Sequence, residues 1–352
     1  MRLGLGFPHR SGNTSYNELR PFFSELFVAM RYNPPLTVVF LLALVALAQG
    51  QIAEEEASEF GVRYGEPDPI GYRVGAEVTS RGGACRNIKA MVAVPFECPE
   101  QDVNILEEDF SSHVDSVSYR ILQGGARQML IEIPFLPDGA TARAIVTFEV
   151  KTRPILPPES TSGLKIPARV TGNLRRFTNG SPYIEVRHRQ IRSLAKEVLD
   201  AVPEDATDWQ RIEALYDHVL ETARYVEGPD KSAVDTLRDG FGDCQGRSAL
   251  FIALCRSSKI PARMVWVDGH CFPEFYLLHN DKEGSWYPCE SAGSRAFGEM
   301  PLARIVLQKG DKFRVPERPK EWLRYASDYL IGVPTPGGRT PKVQYIREQL
   351  YN

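Results

Sequence analysis

An excess of basic charge is absent from this chain of 352 residues: 42 Lys and Arg stand against 45 Asp and Glu, a formal net charge of −3. That balance offers no electrostatic footprint for a nucleic-acid partner. The six cysteines form no C-x-x-C pair and no cysteine–histidine spacing of the zinc type. No metal site and no cofactor is therefore expected. Long apolar runs are also missing, with one exception at Leu36–Leu47 (LTVVFLLALVAL). That run is short of the ~20 residues a membrane span needs.

The exception reads as a leader. Met30 opens MRYNPP, the apolar run follows, and small residues at Ala46–Gly50 precede a polar stretch. A basic start, an apolar centre and a small-residue cleavage site describe a secretory signal. Translation is then expected to begin at Met30, with residues 1–29 a mis-called extension and 30–50 the signal peptide. No cysteine follows the cleavage region, which argues against a lipid anchor. The mature chain is expected to be exported, to the periplasm or beyond, and free of the membrane.

Length allows two domains with a sizeable core. Residues 51–69 are acidic, then rich in Gly and Pro, and read as a flexible lead-in. From Tyr72 the period becomes two. Val74, Ala76 and Val78 alternate with polar neighbours, as do Met129, Ile131 and Ile133, and Ala142 through Val150. Ile88–Phe96, Val103–Ile105 and Val117–Leu122 supply further short runs. About six such strands predict an antiparallel β-sandwich over 70–153. Arg153–Pro167 (RPILPPESTSGLKIP) is rich in proline and small polar residues, and residues 154–183 read as a linker. Beyond Ile184 the period turns helical: Ile191, Leu194, Val198 and Leu199 form one stripe, and Ile212, Leu215, Tyr216, Val219 and Ala223 a second. Residues 301–352, with Pro316, Pro319, Pro334 and Pro336, read as an irregular extension.

Chemistry concentrates at Asp239–Val267 (DGFGDCQGRSALFIALCRSSKIPARMVWV). Gly240 and Gly242 permit a tight turn. Asp243 suits an N-cap, so a helix is predicted from Cys244. A cysteine there faces the positive end of the helix dipole and unpartnered N–H groups, which favours thiolate and prepares an oxyanion site. Ala249–Leu254 is apolar nearly all round and predicts a central helix. Downstream, Arg263–Val267, His270–Leu278 and Ser285–Cys289 predict three adjacent strands, with Asn280–Gly284 as a hairpin loop.

These residues resemble the transglutaminase-like superfamily of papain-like thiol enzymes. The matching elements are Gly242-Asp243-Cys244, Ile260-Pro261-Ala262-Arg263, His270-x-Phe272-x-Glu274-Phe275-Tyr276 and Trp286-x-Pro288-x-Glu290. They stand in the family's order and cover roughly residues 184–296. The resemblance implies an α+β fold: a papain-like core over 184–300 in which helices pack on an antiparallel sheet. It also implies a triad of Cys244 as nucleophile, His270 as general base and Glu290 as the acid that orients the imidazole. The family's acid is usually Asp. One added methylene moves the carboxylate by ~1.5 Å, a misplacement that can lower rate ~100-fold. Pro273 can donate no ladder bond, which predicts an edge or bulge in the histidine strand.

Other candidates read as minor. His279 sits at the far end of its strand, His218 beside a helical stripe and His113 in a polar loop. Glu274 is the rival acid and reads as support; Tyr225 reads as packing. Cys85 and Cys98 could pair. Cys271 and Cys289 alternate with His270 and Glu290, so both are expected on the opposite face of the sheet, bonded or free. The resemblance implies acyl transfer through a thioester on a protein or peptide substrate, hydrolytic in preference to cross-linking. A catalytically silent peptide-binding scaffold is the alternative. An acetyl-transfer enzyme of the arylamine kind shares the core, and the exported β-domain argues against it.

Overall fold

The computed structural model describes residues 61–350. The expected extension 1–29 and signal peptide 30–50 lie outside these residues, as does the lead-in up to residue 60. Residues of the lead-in that are described include Arg63–Tyr64, which pairs antiparallel with Ile155–Leu156.

Six strands follow one another from the start: β1 (Asp68–Arg81), β2 (Cys85–Val94), β3 (Gln101–Phe110), β4 (Ser116–Leu122), β5 (Ala126–Leu136) and β6 (Thr141–Thr152). The helices are α1 (Arg189–Asp200), α2 (Asp208–Thr222), α3 (Ala233–Asp239) and α4 (Cys244–Ser257). The later strands are β7 (Ala262–Val267), β8 (His270–Leu278), β9 (Gly284–Glu290), β10 (Val306–Lys309), β11 (Tyr329–Pro334) and β12 (Arg339–Leu350). The fold is mixed α and β, with large antiparallel sheets, as the α+β expectation has it.

Period-two alternation builds two stacked layers. Tyr72, Val74, Ala76 and Val78 of β1 and Ala142–Val150 alternates of β6 face Ile88, Ala90 and Val92 of β2 and Met129, Ile131 and Ile133 of β5 in one core. One layer is ordered β12-β1-β6-β3. The other is part of a longer sheet, ordered β9-β8-β7-β10-β5-β2-β11, with Ala296–Phe297 beyond β9 and β4 also on β5.

Two expectations are corrected here. The extension 301–352 is not irregular: β11 pairs with β2, and β12 runs along β1 from Arg339↔Arg81 to Leu350↔Gly71. The edge of β1 that β6 leaves open carries N–H and C=O groups that need partners, and β12 provides them. Val343 and Tyr345 alternate toward the core, a signal weakened by the prolines around it. The stretch 154–183 is not a loose connection either. Ile155 exchanges main-chain bonds with Met300, Lys165 does so with Leu278, and Leu164 is buried. The long sheet passes through β10 without a break, so the described residues divide nowhere near that stretch.

The second core surrounds α4. Residues Gly246–Arg256 of that helix are all buried. α1 and α2 pack on it from one side, and β7, β8 and β9 form the sheet on the other. Arg256, near the end of α4, is fully enclosed. It donates to Asp311 Oδ2 at 2.6 Å, to Ala262 O at 2.8 Å and to Asn179 O at 2.9 Å. The guanidinium thus ties the helix to three segments, and each buried charge-assisted bond has a partner.

Candidate active site

α4 starts where the sequence predicts. Gly240, at φ 69°, closes α3 in the left-handed conformation that glycine adopts without strain. Asp243 then caps α4, its side chain accepting from Gly246 N at 2.8 Å. A Cβ at Gly246 would lie 2.6 Å from Thr236 Oγ1, so only glycine lets α3 and α4 approach this closely. Cys244 is the first helical residue. Its N–H and that of Gln245 have no partner within the helix.

His270 opens β8 after a turn through Gly269. Its Nε2 donates to both oxygens of Glu290, at 3.0 and 3.1 Å. Nδ1 is thereby the ring nitrogen left for Cys244, with which the imidazole is hydrogen-bonded. The three residues read from the sequence are brought together. The side chains of His270 and Glu290 are each 12% exposed, so solvent screens their contact little.

The longer carboxylate is accommodated rather than displaced. Glu290 ends β9, and its Oε1 also accepts from Ala292 N at 2.8 Å. Tyr216 of α2 donates its hydroxyl to Glu290 O at 2.5 Å and accepts from Ala296 N. Ser248 of α4 meets Ser291 at 2.6 Å in the interior. The strand end that carries the acid is therefore pinned to two helices. Tyr216, which the sequence reads as part of an apolar stripe, and Ser248 thus fix the position of the Glu290 backbone.

Electrostatics favour an ion pair. The Cys271 thiol bonds to Cys244 and favours its anion; burial opposes that, and the His270 bond and charge add to it, so Cys244 falls to about 4. Burial presses His270 down, but its bonds to Cys244 and Glu290 outweigh it and lift it to about 9. Glu290 is pushed up by burial and pulled further down by the imidazole and by the Ala292 and Gly293 N–H groups; the net is a lowered carboxyl. Burial holds the Cys271 thiol well above its ordinary value, so it remains a donor.

Cys271 corrects an expectation. Strand alternation predicts it on the face away from the site, yet it lies in the core around α4 and touches Cys244. His270 occupies the first position of β8, where the chain leaves the turn, and simple alternation does not govern which way that end residue turns. All six cysteines are free thiols. Cys85 is packed beside Gly332, and Cys98 lies among Glu100 and Lys309.

Pro273 makes no bulge. It pairs opposite Met264 of β7, while the ladder to β9 begins one residue later at Glu274↔Pro288. The residues from His270 to Pro273 therefore have a strand neighbour on one side only. Glu274 is buried and bonded to Arg263 at 2.7 Å and Lys309 at 3.3 Å, beneath the sheet. His279 lies at the opposite end of β8, His218 lines a separate hollow against α1, and His113 lies in the turn before β4; none joins the site. Tyr225, expected to pack, is 45% exposed. It belongs to a two-residue ladder with Phe241–Gly242, just before Cys244.

Cys244, His270 and Cys271 open into a cleft of about 640 Å³. Its far wall comes from the C-terminal segment, through Trp322, Arg324, Tyr325 and Ser327, with Arg347 of β12. Among the described residues no group of three or more His, Cys, Asp or Glu is arranged to hold a metal ion.

Residues 192–291 match the family model of the transglutaminase-like superfamily. The chain carries a transglutaminase-like domain. Its sequence span contains Cys244, His270 and Glu290. No curated protein matches the chain. Among solved structures, a candidate cysteine protease from Cytophaga hutchinsonii is 17% identical, over 82% of this chain and 94% of that one, with a TM-score of 0.53. That likeness shows a shared fold extending beyond the transglutaminase-like domain. The periplasmic domain of TgpA from Pseudomonas aeruginosa, bound to ethylmercury, is 14% identical over 62% of this chain and 89% of that one, TM-score 0.31. A candidate protease from Parabacteroides distasonis is 11% identical over 64% and 47%, TM-score 0.26.

Proposed function

We propose that this chain is an exported thiol enzyme that cleaves amide bonds in proteins or peptides. The observation that carries the reading is the hydrogen-bonded series Cys244–His270–Glu290 at the start of α4, facing an open cleft. The Cys244 thiolate attacks the carbonyl carbon, and the oxyanion is held by the N–H groups of Cys244 and Gln245. Protonated His270 then gives its Nδ1 proton to the departing amine, and a thioester forms on Cys244. Water enters, losing a proton to neutral His270, and the acid is released as Cys244 regains its starting state. Glu290 stays ionised throughout and holds the ring.

Water is proposed as the acceptor over a lysine amine, in keeping with the fold shared with a candidate protease. Export rests on the leader at 30–50. In support, no helix among the described residues is long and apolar enough to cross a membrane.

The test is brief treatment of folded, reduced protein with a substoichiometric thiol alkylator near neutral pH, then peptide mapping. Selective labelling of Cys244 that disappears in His270→Ala is expected. Labelling of Cys244 no faster than an ordinary exposed thiol would instead indicate the silent scaffold. Adding a labelled primary amine to an active reaction then separates hydrolysis from transfer.

A further inference from the structure

The cleft at Cys244 does not end at its own walls. Pro182 and Trp322 also line a second hollow of about 920 Å³. Arg176, Arg187 and Lys312 line this hollow, and Glu185 is the one acidic residue that does. Arg314 lies over Trp322, its guanidinium 4.1 Å from the ring centre, and Lys312 Nζ lies 4.9 Å from the same ring.

The charges here differ in kind from those in the cleft. Arg324 and Arg347 line the cleft, and each is bound to its own carboxylate, Asp230 and Asp328. In the hollow, Arg176 and Lys312 are held by main-chain oxygen and aromatic faces instead. Arg176 donates to Gln123 O at 2.7 Å and stacks 4.5 Å from the Phe177 ring centre. Lys312 donates to Gly180 O at 3.1 Å. These contacts orient the cations without neutralising them. Burial, and repulsion from Arg263 and Arg256, hold Arg176 below its ordinary value despite Asp311 nearby. Glu185 accepts from Val234 N at 3.3 Å and offsets only part of that charge, three cations standing against one carboxylate.

A concave surface of net positive charge concentrates a negatively charged ligand locally even when the whole chain is slightly negative. The shape selects among such ligands. A hollow that shares Pro182 and Trp322 with the cleft at Cys244 lies within reach of one extended chain, whereas a bilayer surface is too flat to enter it.

We propose that the hollow lined by Arg176, Arg187 and Lys312 seats an acidic segment of the polypeptide substrate, next to the amide presented to Cys244. The inference rests on the amide-cleaving reading for its link to catalysis. The enzyme then prefers proteins carrying Glu or Asp clusters near the bond attacked. Trp322, shared by both hollows, separates the charged segment from the reacting one.

The experiment measures binding apart from turnover. Cys244→Ala protein is titrated with fluorescently labelled peptides of matched length, one Glu-rich, one Gln-rich and one Lys-rich, and with phosphatidylserine vesicles. The Glu-rich peptide is expected to bind about tenfold more tightly than the Gln-rich one at low salt, and less so as salt rises. The double variant Arg187→Glu, Lys312→Glu, made on the same background, is expected to abolish that preference, and Lys312→Gln to reduce it, with circular dichroism checking that each folds. Equal binding of the Glu-rich and Gln-rich peptides, or a preference untouched by both variants, would overturn the proposal. Stronger binding to vesicles than to the Glu-rich peptide would overturn it in favour of a membrane surface. Cys244 labelling in the unmodified protein reports on the amide-cleaving reading separately, so the two ideas can fail independently.

Discussion

At the scale of single residues, Cys244 and His270 share one proton between groups pushed in opposite directions. The thiol is lowered to about 4 and the imidazole raised to about 9. The thiolate–imidazolium pair therefore dominates between those values. Below about 4 the thiolate gains a proton and loses nucleophilicity; above about 9 His270 loses the proton that the proposed mechanism has it deliver. Alkylation of Cys244 is expected to stay nearly constant from about pH 5 to 8 and to fall on the acid side, and turnover to fall on both sides. A stopped-flow pH series checks this.

Glu290 and Cys271 carry two further predictions. Glu290→Asp shortens a carboxylate whose two oxygens both meet His270, so it is expected to cost turnover ~100-fold even though Asp is the commoner family residue. A variant as active as the parent would show that the strand end adjusts. Cys271→Ala removes the contact that most favours the Cys244 anion. It is expected to raise the pH at which thiolate absorbance appears, while leaving the His270–Glu290 contact intact; an unchanged titration would assign the lowering to His270 alone.

At the scale of elements, α4 is held at both ends by polar groups that its apolar middle cannot supply. Asp243 caps its start, and the Arg256–Asp311 pair anchors its end, with side chains 0% and 3% exposed. Asp311→Ala leaves a buried guanidinium unpaired and is expected to lower stability by ~3–5 kcal/mol in denaturant unfolding. Loss of less than ~1 kcal/mol would mean that the main-chain acceptors of Arg256 suffice. The helix, its cap and the strands β7, β8 and β9 were legible from local signals: a glycine turn, an acidic cap, an apolar run, a hairpin loop. The partner Asp311 was not, because it lies 55 residues from Arg256 and no local pattern links them.

At the scale of the molecule, the C-terminal segment joins the two cores. β12 closes the layer around β1, Gln349 bonds to Asp268 in the turn that precedes His270, and Arg347 lines the cleft. A chain ended after Pro334 opens the β1 edge and takes Arg347 out of the wall of the site. It is expected to unfold at a temperature at least about 5 °C lower, as befits a loss of a few kcal/mol, and to label more slowly at Cys244. Unchanged melting and labelling would make the segment dispensable.

Sequence by itself determined what depends on neighbours along the chain. Period two specified strands, period 3.6 specified α1 and α2, and Gly240 through Cys244 specified a helix with a thiol at its positive end. The order of motifs along the chain points to Cys244, His270 and Glu290. Tertiary structure alone decided what depends on neighbours in space. It set Cys271 against Cys244, Tyr216 under the Glu290 backbone and β12 against β1, contacts between residues 27, 74 and 275 positions apart, as in Arg73 and Glu348 for the last. Such pairs arise from burial and from backbone groups needing partners, demands that any compatible segment could meet. Which segment does so is a property of the folded whole.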